Sequence, residues 1–383
     1  MKALSYRGPS SLEVIEKPEP RLEHPNDVIL RVTRTAICGS DLHLYHGLIP
    51  DTRVGTTFGH EFTGVVEEVG PSVESLALGD RVVVPFNISC GTCFYCEREL
   101  SSVCDRTNPS SQVLGGVFGY SHTTGGYDGG QAEYVRVPFA DVGPMKIPDD
   151  MEDEDVLFLS DIFPTGYQAA EMGQIHEGDT VCVFGAGPVG LMTMRSAWLM
   201  GAGRVIAVDR LEYRLQKART FGHAETLNYE EEGKDDIVSR IFELTDGQGA
   251  DVCIDAVGLE ASGSALQKGL GLSFLQAGAA TAIGWAIHAV RRAGTVVIIG
   301  VYGPPWNLVP IGVAMNKGVT MRAAQCNVKR YMPHLLEHIR AGHIDPTEII
   351  SHRLSLEEAP EAYHLFAGKK DECLKCVLVP HAA

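Results

Sequence analysis

Four cysteines crowd together in the first third of this 383-residue chain, at a spacing that suits a metal ion. Two residues separate Cys90 from Cys93 and Cys93 from Cys96, and seven more lie before Cys104. Four thiolates placed in this way can close tetrahedrally around Zn²⁺ and leave no coordination position for a substrate. An iron–sulfur cluster and four unconnected cysteines are the alternatives. The lobe at residues 90–104 is therefore predicted to hold a structural zinc ion.

A glycine-rich turn lies between an apolar run and a helical pattern further along the chain. Gly185-x-Gly187-x-x-Gly190 directly follows the sequence Val-Cys-Val-Phe at 181–184. In a strand–turn–helix unit, the first glycine permits a tight turn, the second lets the backbone approach a pyrophosphate, and the third allows close packing. The free N–H groups at the start of the helix then face the diphosphate. Both the pattern and its position indicate a dinucleotide site, which also disfavours the iron–sulfur alternative.

An acidic residue ends the next strand pattern. Asp209 lies 24 positions after Gly185, where a carboxylate can accept hydrogen bonds from the adenosine ribose and repel a 2′-phosphate. Arg210 follows immediately, and its positive charge could reduce the repulsion of a 2′-phosphate. The pattern favours NAD over NADP as the cofactor.

Two further groups of candidate ligands are ambiguous by themselves. A lone buried cysteine such as Cys38 is usually a small hydrophobic residue, and His60 after a glycine is typical of a turn. Their spacing alone does not make them partners.

Cys373 and Cys376 form a Cys-x-x-Cys pair near the C-terminus, without a second cysteine or histidine pair in the neighbouring sequence. Redox chemistry and a third metal are the alternatives for this pair, and we interpret it as core packing.

The elements that must position these residues change in type along the chain. The first 150 residues are rich in glycine, proline and short β-branched runs, which is typical of an irregular, mostly β domain. From about residue 177, strand patterns alternate with helical ones, which predicts βαβ units and a parallel sheet. The glycine-rich region 108–130 is predicted to be a long surface loop. The fold class is therefore α/β, with a doubly wound Rossmann-type parallel sheet beside a mostly β domain.

Charge and composition exclude several classes of partner. The chain carries 32 basic and 49 acidic residues, a net charge of −17, which repels nucleic acid and anionic membrane surfaces. The N-terminus shows no secretory signal pattern, so a reducing cytoplasm is the expected location. The stretch 269–290 carries no charge for 22 residues, but its glycines and polar residues dilute its hydrophobicity. We interpret it as buried or interfacial rather than as a membrane span.

Several motifs together resemble those of one enzyme family. The sequence Gly59-His60-Glu61-x-x-Gly64, continuing to Gly70 and Val73, resembles the zinc signature of the medium-chain alcohol dehydrogenases. The segment 38–41, the four-cysteine lobe, the dinucleotide turn and the returning C-terminal segment follow in that family's order, so the resemblance covers nearly the whole chain. Within the family the chain is most similar to the glutathione-independent formaldehyde dehydrogenase-like branch, on residues 36–45, 124–126, 130–135 and 159–167.

The resemblance implies a domain division and a catalytic zinc site. A GroES-like catalytic domain would span 1–160, completed by 326–383, and the NAD-binding Rossmann domain would span 161–325. Cys38, His60 and Asp161 fall where the family holds its catalytic zinc, with the fourth position left for water or substrate. The third ligand is cysteine in many relatives, and Asp161 matches the formaldehyde-type branch. Together with the lobe, this implies two zinc ions per chain.

The resemblance also implies the residues around the reacting atoms. Glu61 lies beside the metal, and Asp41 orients the ligand histidine. Ser40 hydrogen-bonds the substrate oxygen, and His43 passes its proton toward solvent. Expected NAD contacts are Thr165, Gly185, Gly187, Pro188, Val189, Gly190, Asp209, Arg210, Arg214, Val257 and Val301.

The implied reaction is hydride transfer between NAD and a small alcohol, or an aldehyde hydrate, at zinc. An aldehyde dismutase with tightly bound NAD and a zinc-dependent polyol dehydrogenase are the nearest alternatives. A zinc-free quinone or enone reductase would not need Cys38, His60 and Asp161, whereas a non-enzymatic zinc-stabilised binding protein would need only the four-cysteine lobe. The identity of the alcohol or aldehyde does not follow from residue types.

The sequence also predicts an insertion in the second domain and an open edge of its sheet. About 35 residues separate the strand patterns that end at Val257 and start at Gly294, where a compact crossover needs about a dozen. The insertion at 259–292 is either an apolar cover over the cofactor, or a subunit contact, or an added helix packed on the sheet. An edge at 294–301 would pair with its copy in a homo-oligomer, either a dimer or a homotetramer.

Overall fold

A computed structural model describes residues 1–233, 236–257, 277–302 and 309–381, with side chains in the third range from residue 281 onward. The chain forms two compact units. One contains Met1–Pro164 and Cys326–Ala383, and the other contains Thr165–Gln325. Asp161 therefore belongs to the same unit as Cys38 and His60.

The described strands, in chain order, are β1 (Lys2–Gly8), β2 (Ser11–Glu16), β3 (Val28–Ala36), β4 (Glu61–Val69), β5 (Arg81–Val84), β6 (Asn87–Ile88), β7 (Gly116–Val117), β8 (Tyr134–Val137), β9 (Met145–Lys146), β10 (Thr180–Phe184), β11 (Arg204–Asp209), β12 (Glu225–Asn228), β13 (Ala250–Asp255), β14 (Val290–Ile298), β15 (Thr320–Ala323), β16 (His352–Ser355) and β17 (Cys376–Val379). The described helices are α1 (Asp41–Tyr45), α2 (Asp153–Leu157), α3 (Ile162–Gly173), α4 (Pro188–Leu199), α5 (Glu212–Thr220), α6 (Ile237–Leu244), α7 (Ala277–Ala289), α8 (Ile311–Lys317), α9 (Val328–Arg340) and α10 (Ala359–Gly368).

The unit Thr165–Gln325 is built on a six-stranded sheet in the order β12–β11–β10–β13–β14–β15, and all its strand pairs are parallel. Apolar strands such as β10 and β13 are buried because helices cover a parallel sheet on both faces. The strand order reverses between β10 and β13, which is where doubly wound sheets bind ligands. The predicted Rossmann-type fold is confirmed.

The predicted open edge at 294–301 is wrong. β14 begins at Val290, and it lies between β13 and β15 within the sheet. Its pairing with β13 extends further back than expected, through a register shift between Ala250 and Val252. Strand order is a long-range property that the periodicity of one segment does not reveal. A homo-oligomer, dimer or tetramer, stays a prediction.

Part of the 259–292 insertion lies outside the described residues, which resume at residue 277. The described part forms α7, and Ile283 and Ile287 are buried in the core of the sheet. The ring of Trp285 lies 6.4 Å from that of Phe184 and 5.2 Å from that of Tyr229. This part of the insertion is a helix packed on the sheet. No helix among the described residues has the length and apolar character to span a membrane.

The other unit contains a seven-stranded, mostly antiparallel sheet in the order β16–β17–β3–β4–β5–β9, with β8 also paired to β3. β3 ends at Ala36 and β4 begins at Glu61, and these two residues are opposite each other in the antiparallel register. Cys38, just after β3, and His60, just before β4, are thereby brought to the same end of the sheet. β17 pairs Val377 with Ala36, so the C-terminal segment arrives there as well.

The region 108–130 is only in part the surface loop that its glycine content predicts, since Val113 is exposed whereas other parts are packed. Phe118 is buried, and β7 within this region pairs with β6. A Cβ atom at Gly119 would lie 2.5 Å from Gly59 N, and one at Gly129 would lie 2.2 Å from Gly59 O. These glycines permit close packing against the turn that carries His60. Glycine content alone does not distinguish this tight packing from a mobile surface loop.

Candidate zinc and dinucleotide sites

The three predicted catalytic ligands lie together among buried residues of the first unit. The Asp161 Oδ2 atom is 3.4 Å from Cys38 Sγ and 3.3 Å from His60 Nε2. Zinc bonds of about 2.0–2.3 Å in a tetrahedron would separate such donor atoms by roughly 3.4–3.6 Å. Glu61 joins this group, and one ligand atom from each of the four residues lies within 4.8 Å of the others. The donor set therefore fits a zinc ion without rearrangement of the backbone.

Asp41 fixes the orientation of these ligands. One of its carboxylate oxygens lies 3.1 Å from His60 Nδ1, and the other accepts the backbone N–H of Cys38 at 3.0 Å. The Nε2 atom of His60 is thereby directed toward Asp161, as expected of a histidine whose second nitrogen binds a metal. Ser40 Oγ lies 3.2 Å from the same Nε2 atom, so its hydroxyl borders the ligand cluster.

A buried lysine, which the sequence analysis missed, completes the cluster. Lys375 Nζ donates to a Glu61 carboxylate oxygen at 2.7 Å and to the Ile37 carbonyl at 3.0 Å, and the side chains of Lys375 and Glu61 are fully buried. Burial alone would lower the pKa of Lys375, but Glu61, together with Cys38 and Asp161, outweighs burial and raises that pKa. A lysine at the start of an apolar strand was the available signal, but its partner depends on strand pairing.

The electrostatics of the cluster favour a divalent cation. Three carboxylates, Asp41, Glu61 and Asp161, lie in this buried region with the ammonium of Lys375. Burial, together with the neighbouring Asp161 and Glu61, raises the pKa of the Cys38 thiol to about 11. A cation beside Cys38 would stabilise its thiolate and offset the excess negative charge.

The resemblance implies that His43 passes the substrate proton toward solvent, and the structure places Tyr120 beside it. His43 is buried, and its Nδ1 atom lies 3.2 Å from the hydroxyl of Tyr120. Tyr120 is half-buried and belongs to the glycine-rich region 108–130. The sequence analysis missed Tyr120, because that region was expected to be a surface loop.

The four-cysteine lobe has the geometry of a closed tetrahedral site. Cys90 Sγ lies 4.0 Å from Cys96 Sγ, and Cys93 Sγ lies 3.8 Å from Cys104 Sγ. Zinc–sulfur bonds of about 2.3 Å would place sulfur atoms about 3.8 Å apart. All four sulfurs lie within 4.8 Å of one another, and none of the chain's ten cysteines forms a disulfide. The lobe has few other apolar contacts, so a metal is well placed to hold it together.

The dinucleotide turn follows β10 in the second unit. Gly185 has a φ of +98°, and a Cβ atom at Gly190 would lie 1.9 Å from the Gly185 carbonyl oxygen. Pro188 opens α4, so the backbone N–H groups of Val189 and Gly190 lack an acceptor within the helix. A Cβ atom at Gly187 would meet only Arg214 Nη1, at 3.6 Å, among the described residues. The turn is therefore open to a pyrophosphate.

The Asp209 carboxylate also stabilises the glycine turn, which the glycine pattern alone does not predict. Its carboxylate accepts the backbone N–H groups of Ala186 at 2.8 Å and of Arg210 at 2.7 Å, which ties β11 to the glycine turn. The Arg210 guanidinium lies 3.3 Å from Glu230. The buried Nε atom of Arg214 bonds to none of the described residues, which fits an acceptor supplied by a cofactor.

The remaining predicted cofactor contacts lie in the same unit. The Val257 side chain borders the glycine turn, since its Cγ2 atom would be 3.1 Å from a Cβ at Gly185. Thr165 on α3 and Val301 just after β14 are half-buried. Their contact with a cofactor stays a prediction.

Comparison with known proteins decides the family. Residues 24–149 match the alcohol dehydrogenase GroES-like domain, and residues 188–273 match the zinc-binding dehydrogenase family. The chain is 45% identical to a zinc-type alcohol dehydrogenase-like protein of Bacillus subtilis, over 99% of this chain and 100% of the relative. The chain belongs to the zinc-type medium-chain alcohol dehydrogenase family. It is therefore an oxidoreductase of the zinc-binding dehydrogenase type.

Relatives within this family differ in their named substrates and cofactors. The chain is 35% identical to the glutathione-independent formaldehyde dehydrogenase of Pseudomonas aeruginosa, over 99% of this chain and 98% of that protein. The structure of an alcohol dehydrogenase from Thermus sp. ATN1 is 39% identical and superposes with a TM-score of 0.84, covering 99% of both chains.

Two similar solved structures contain different cofactors. An Escherichia coli alcohol dehydrogenase solved with NADH is 27% identical, with a TM-score of 0.79 over 99% of both chains. A zinc-binding dehydrogenase of Sinorhizobium meliloti solved with NADP is 26% identical, with a TM-score of 0.78 over 99% of both chains. A nicotinamide dinucleotide is therefore common to these relatives, and the choice between its two forms varies.

Removing the Lys375 ammonium tests how much the buried Lys375–Glu61 pair contributes to the free energy of unfolding. Lys375→Met would leave Glu61 buried without its counter-charge, so we expect the free energy of unfolding to fall by about 3–5 kcal/mol. Urea denaturation of the zinc-replete protein measures this. Lys146→Met is the control, because it breaks an exposed pair with Asp80 and should change the free energy by less than about 1 kcal/mol. Equal effects of the two substitutions would show that the buried pair is not important for stability.

Proposed function

We propose that this chain is an NAD-dependent, zinc-containing alcohol or formaldehyde-type dehydrogenase. Its substrate would be a small alcohol or the hydrate of an aldehyde, and its product the corresponding carbonyl compound or acid. The observation that carries this proposal is the Asp161 carboxylate, which lies between Cys38 Sγ and His60 Nε2. These three residues would hold the catalytic zinc, and the four-cysteine lobe would hold a second zinc ion with a structural role.

The residues of the first unit would bind the substrate and remove its proton. When bound, zinc supplies Lewis acidity at the substrate oxygen, and NAD supplies the hydride acceptor. The Ser40 hydroxyl, 3.2 Å from His60 Nε2, is placed to accept a hydrogen bond from a substrate hydroxyl at the ligand cluster. Asp41 holds the His60 ring so that Nε2 stays directed toward the ligands.

The proton would leave through His43 and Tyr120. His43 follows Ser40 on the first turn of α1, and its Nδ1 atom contacts the Tyr120 hydroxyl at 3.2 Å. Burial raises the pKa of Tyr120, so its hydroxyl stays protonated and can relay a proton between hydrogen-bonded neighbours. This route extends the Ser40–His43 relay by one residue.

The second unit supports NAD rather than NADP. The Asp209 carboxylate lies at the end of β11, where it would accept the ribose hydroxyls and repel a 2′-phosphate. Arg210 could offset that repulsion, but its guanidinium is already paired with Glu230. The charge near the ribose would therefore remain unfavourable for NADP.

Replacing this carboxylate tests the cofactor preference. Asp209→Asn should lower the ratio of kcat/KM with NAD to kcat/KM with NADP by about 10–100-fold, the equivalent of one hydrogen bond to a charged group. Damage to the glycine turn lowers both values, so their ratio isolates the effect of the charge. The control is Asp251→Asn, since Asp251 also accepts a backbone N–H but lies at the start of β13. An unchanged ratio in Asp209→Asn would contradict the assignment.

The formaldehyde-type assignment rests on Asp161 and on the relative of that name, and it leaves an aldehyde dismutase as a second candidate. A dismutase would retain its NAD and convert aldehyde into alcohol and acid without added cofactor. The cover that such retention would need falls on the 259–292 insertion, whose described part packs on the sheet as α7. Residues 258–276 lie outside the described residues, and a dehydrogenase that exchanges its cofactor is the candidate that we put first.

Cofactor retention and turnover separate these candidates. The protein is purified without added cofactor and denatured, and the released NAD(H) is measured. Formaldehyde turnover is then assayed with no NAD supplied. We expect little released NAD(H), and activity only when NAD and an alcohol or aldehyde are added. Stoichiometric NAD(H) with unaided formaldehyde turnover would establish the dismutase instead. Inactivity of zinc-replete protein toward alcohols and aldehydes with either cofactor would contradict both.

A further inference from the structure

A third group of metal-ligating side chains lies in the first unit and shares no residue with the two clusters described above. It consists of His352, Cys373 and Cys376, whose ligand atoms lie within 4.8 Å of one another. The strands explain the grouping, because β16 and β17 pair in parallel with His352 directly opposite Cys376. The sequence analysis assigned the two cysteines to core packing, since the strand pairing that brings His352 to them is not visible in the sequence.

Neighbouring groups direct one nitrogen of His352 toward the two cysteines. The Nε2 atom lies 3.1 Å from Asp371 Oδ2, and a carboxylate only accepts, so the neutral ring carries its proton on Nε2. The lone pair is then on Nδ1, 2.8 Å from Ser351 Oγ. That oxygen accepts the backbone N–H of Leu374 at 2.9 Å, so Nδ1 faces the turn between Cys373 and Cys376.

The Nδ1 lone pair can be released to a metal. The Ser351 hydroxyl has an alternative acceptor in the Lys375 carbonyl, 3.1 Å away. A carboxylate on one nitrogen of a histidine and a metal on the other is a recurring arrangement in zinc sites, because the carboxylate fixes the ring and increases its basicity. Asp371 would have this role for His352.

The distance between the two sulfurs is closer to that of a metal site than to that of a disulfide. Cys373 Sγ and Cys376 Sγ are 3.2 Å apart. Two thiolates on one zinc ion would lie about 3.8 Å apart, so they would separate by roughly half an ångström. A disulfide of about 2.05 Å would require them to approach by more than 1 Å. Both cysteines are fully buried, whereas the His352 side chain is 16% exposed, so the histidine side is the one that solvent reaches.

We propose that Cys373 Sγ, Cys376 Sγ and His352 Nδ1 bind a third zinc ion. Two thiolates and one imidazole form a donor set that selects zinc among the common divalent cations. The ion would tie the start of β16 to the turn that precedes β17. Lys375 lies between the two cysteines, so the ion would also fix the backbone that presents this ammonium to Glu61. The proposal does not depend on the proposed catalytic function.

Zinc content per chain tests the proposal. The untagged protein is purified under reducing conditions without chelator and dialysed, and zinc is measured by mass spectrometry. We expect three zinc ions per chain in the unaltered protein and two in Cys373→Ala/Cys376→Val. The matched control is Cys253→Val, which replaces a fully buried strand cysteine outside all three groups and should retain three. Equal zinc contents in the unaltered protein and the double variant would overturn the proposal.

Two further variants keep the result interpretable. His352→Ala alters a residue that is less buried than the two cysteines and should also lose one zinc ion, even if the double variant folds poorly. His338→Ala breaks a surface cluster in which His338 contacts His334 at 3.2 Å and His343 at 3.0 Å. We expect it to retain three zinc ions. Loss of the third ion in His338→Ala alone would place that ion on the surface histidines and overturn the proposal.

The count of free thiols distinguishes the metal from a disulfide. After denaturation in a chelator without reductant, a chain whose cysteines are all reduced titrates ten thiols. Ten thiols are expected here. Eight thiols in the unaltered protein, with the same eight in Cys373→Ser/Cys376→Ser, would mean that this pair is oxidised instead, which would overturn the metal site. Neither outcome affects the catalytic cluster or the four-cysteine lobe.

Discussion

An excess of negative charge, buried at one end of the seven-stranded sheet, is the constraint on which the catalytic unit depends. Asp41, Glu61 and Asp161 are all buried there, and Lys375 is the ammonium that opposes them. Such an arrangement is costly without further positive charge, because buried carboxylates lose their hydration. A zinc ion among Cys38, His60 and Asp161 would supply that charge and would also be the Lewis acid that the family's chemistry uses. Stability and reactivity therefore have the same origin in this unit.

The strand register places these charges. The opposition of Ala36 and Glu61 across β3 and β4 brings the two motifs together, and β17 adds Lys375 from the other side of β3. The glycines at 119 and 129 let a neighbouring segment pack directly on the Gly59 turn, which restricts the position of His60. A rigid ligand set holds the reacting oxygen more accurately than a set carried on free loops. The backbone of the first unit is thus arranged around these candidate ligands.

How far the sequence could predict the site depended on the distance along the chain between its parts. The four-cysteine lobe and the Gly185–Asp209 fingerprint are local patterns, so residue types and spacing were enough to propose them. Cys38 and His60 could be joined only through family resemblance, because their partnership depends on the pairing of β3 with β4. The sequence analysis missed Lys375, Tyr120 and His352, because the residues that each of them contacts lie on distant segments of the chain. The edge at 294–301 was wrong for the same reason, since β15 occupies that side of β14.

Anomalous X-ray diffraction above the zinc absorption edge, from crystals of the zinc-replete protein, tests the central claim most directly. The account predicts a peak about 2.0–2.3 Å from Cys38 Sγ, His60 Nε2 and an Asp161 carboxylate oxygen. The four-cysteine lobe provides an internal reference for full occupancy in the same crystal. A strong peak at the lobe, with none among Cys38, His60 and Asp161, would contradict the catalytic zinc and the reaction derived from it.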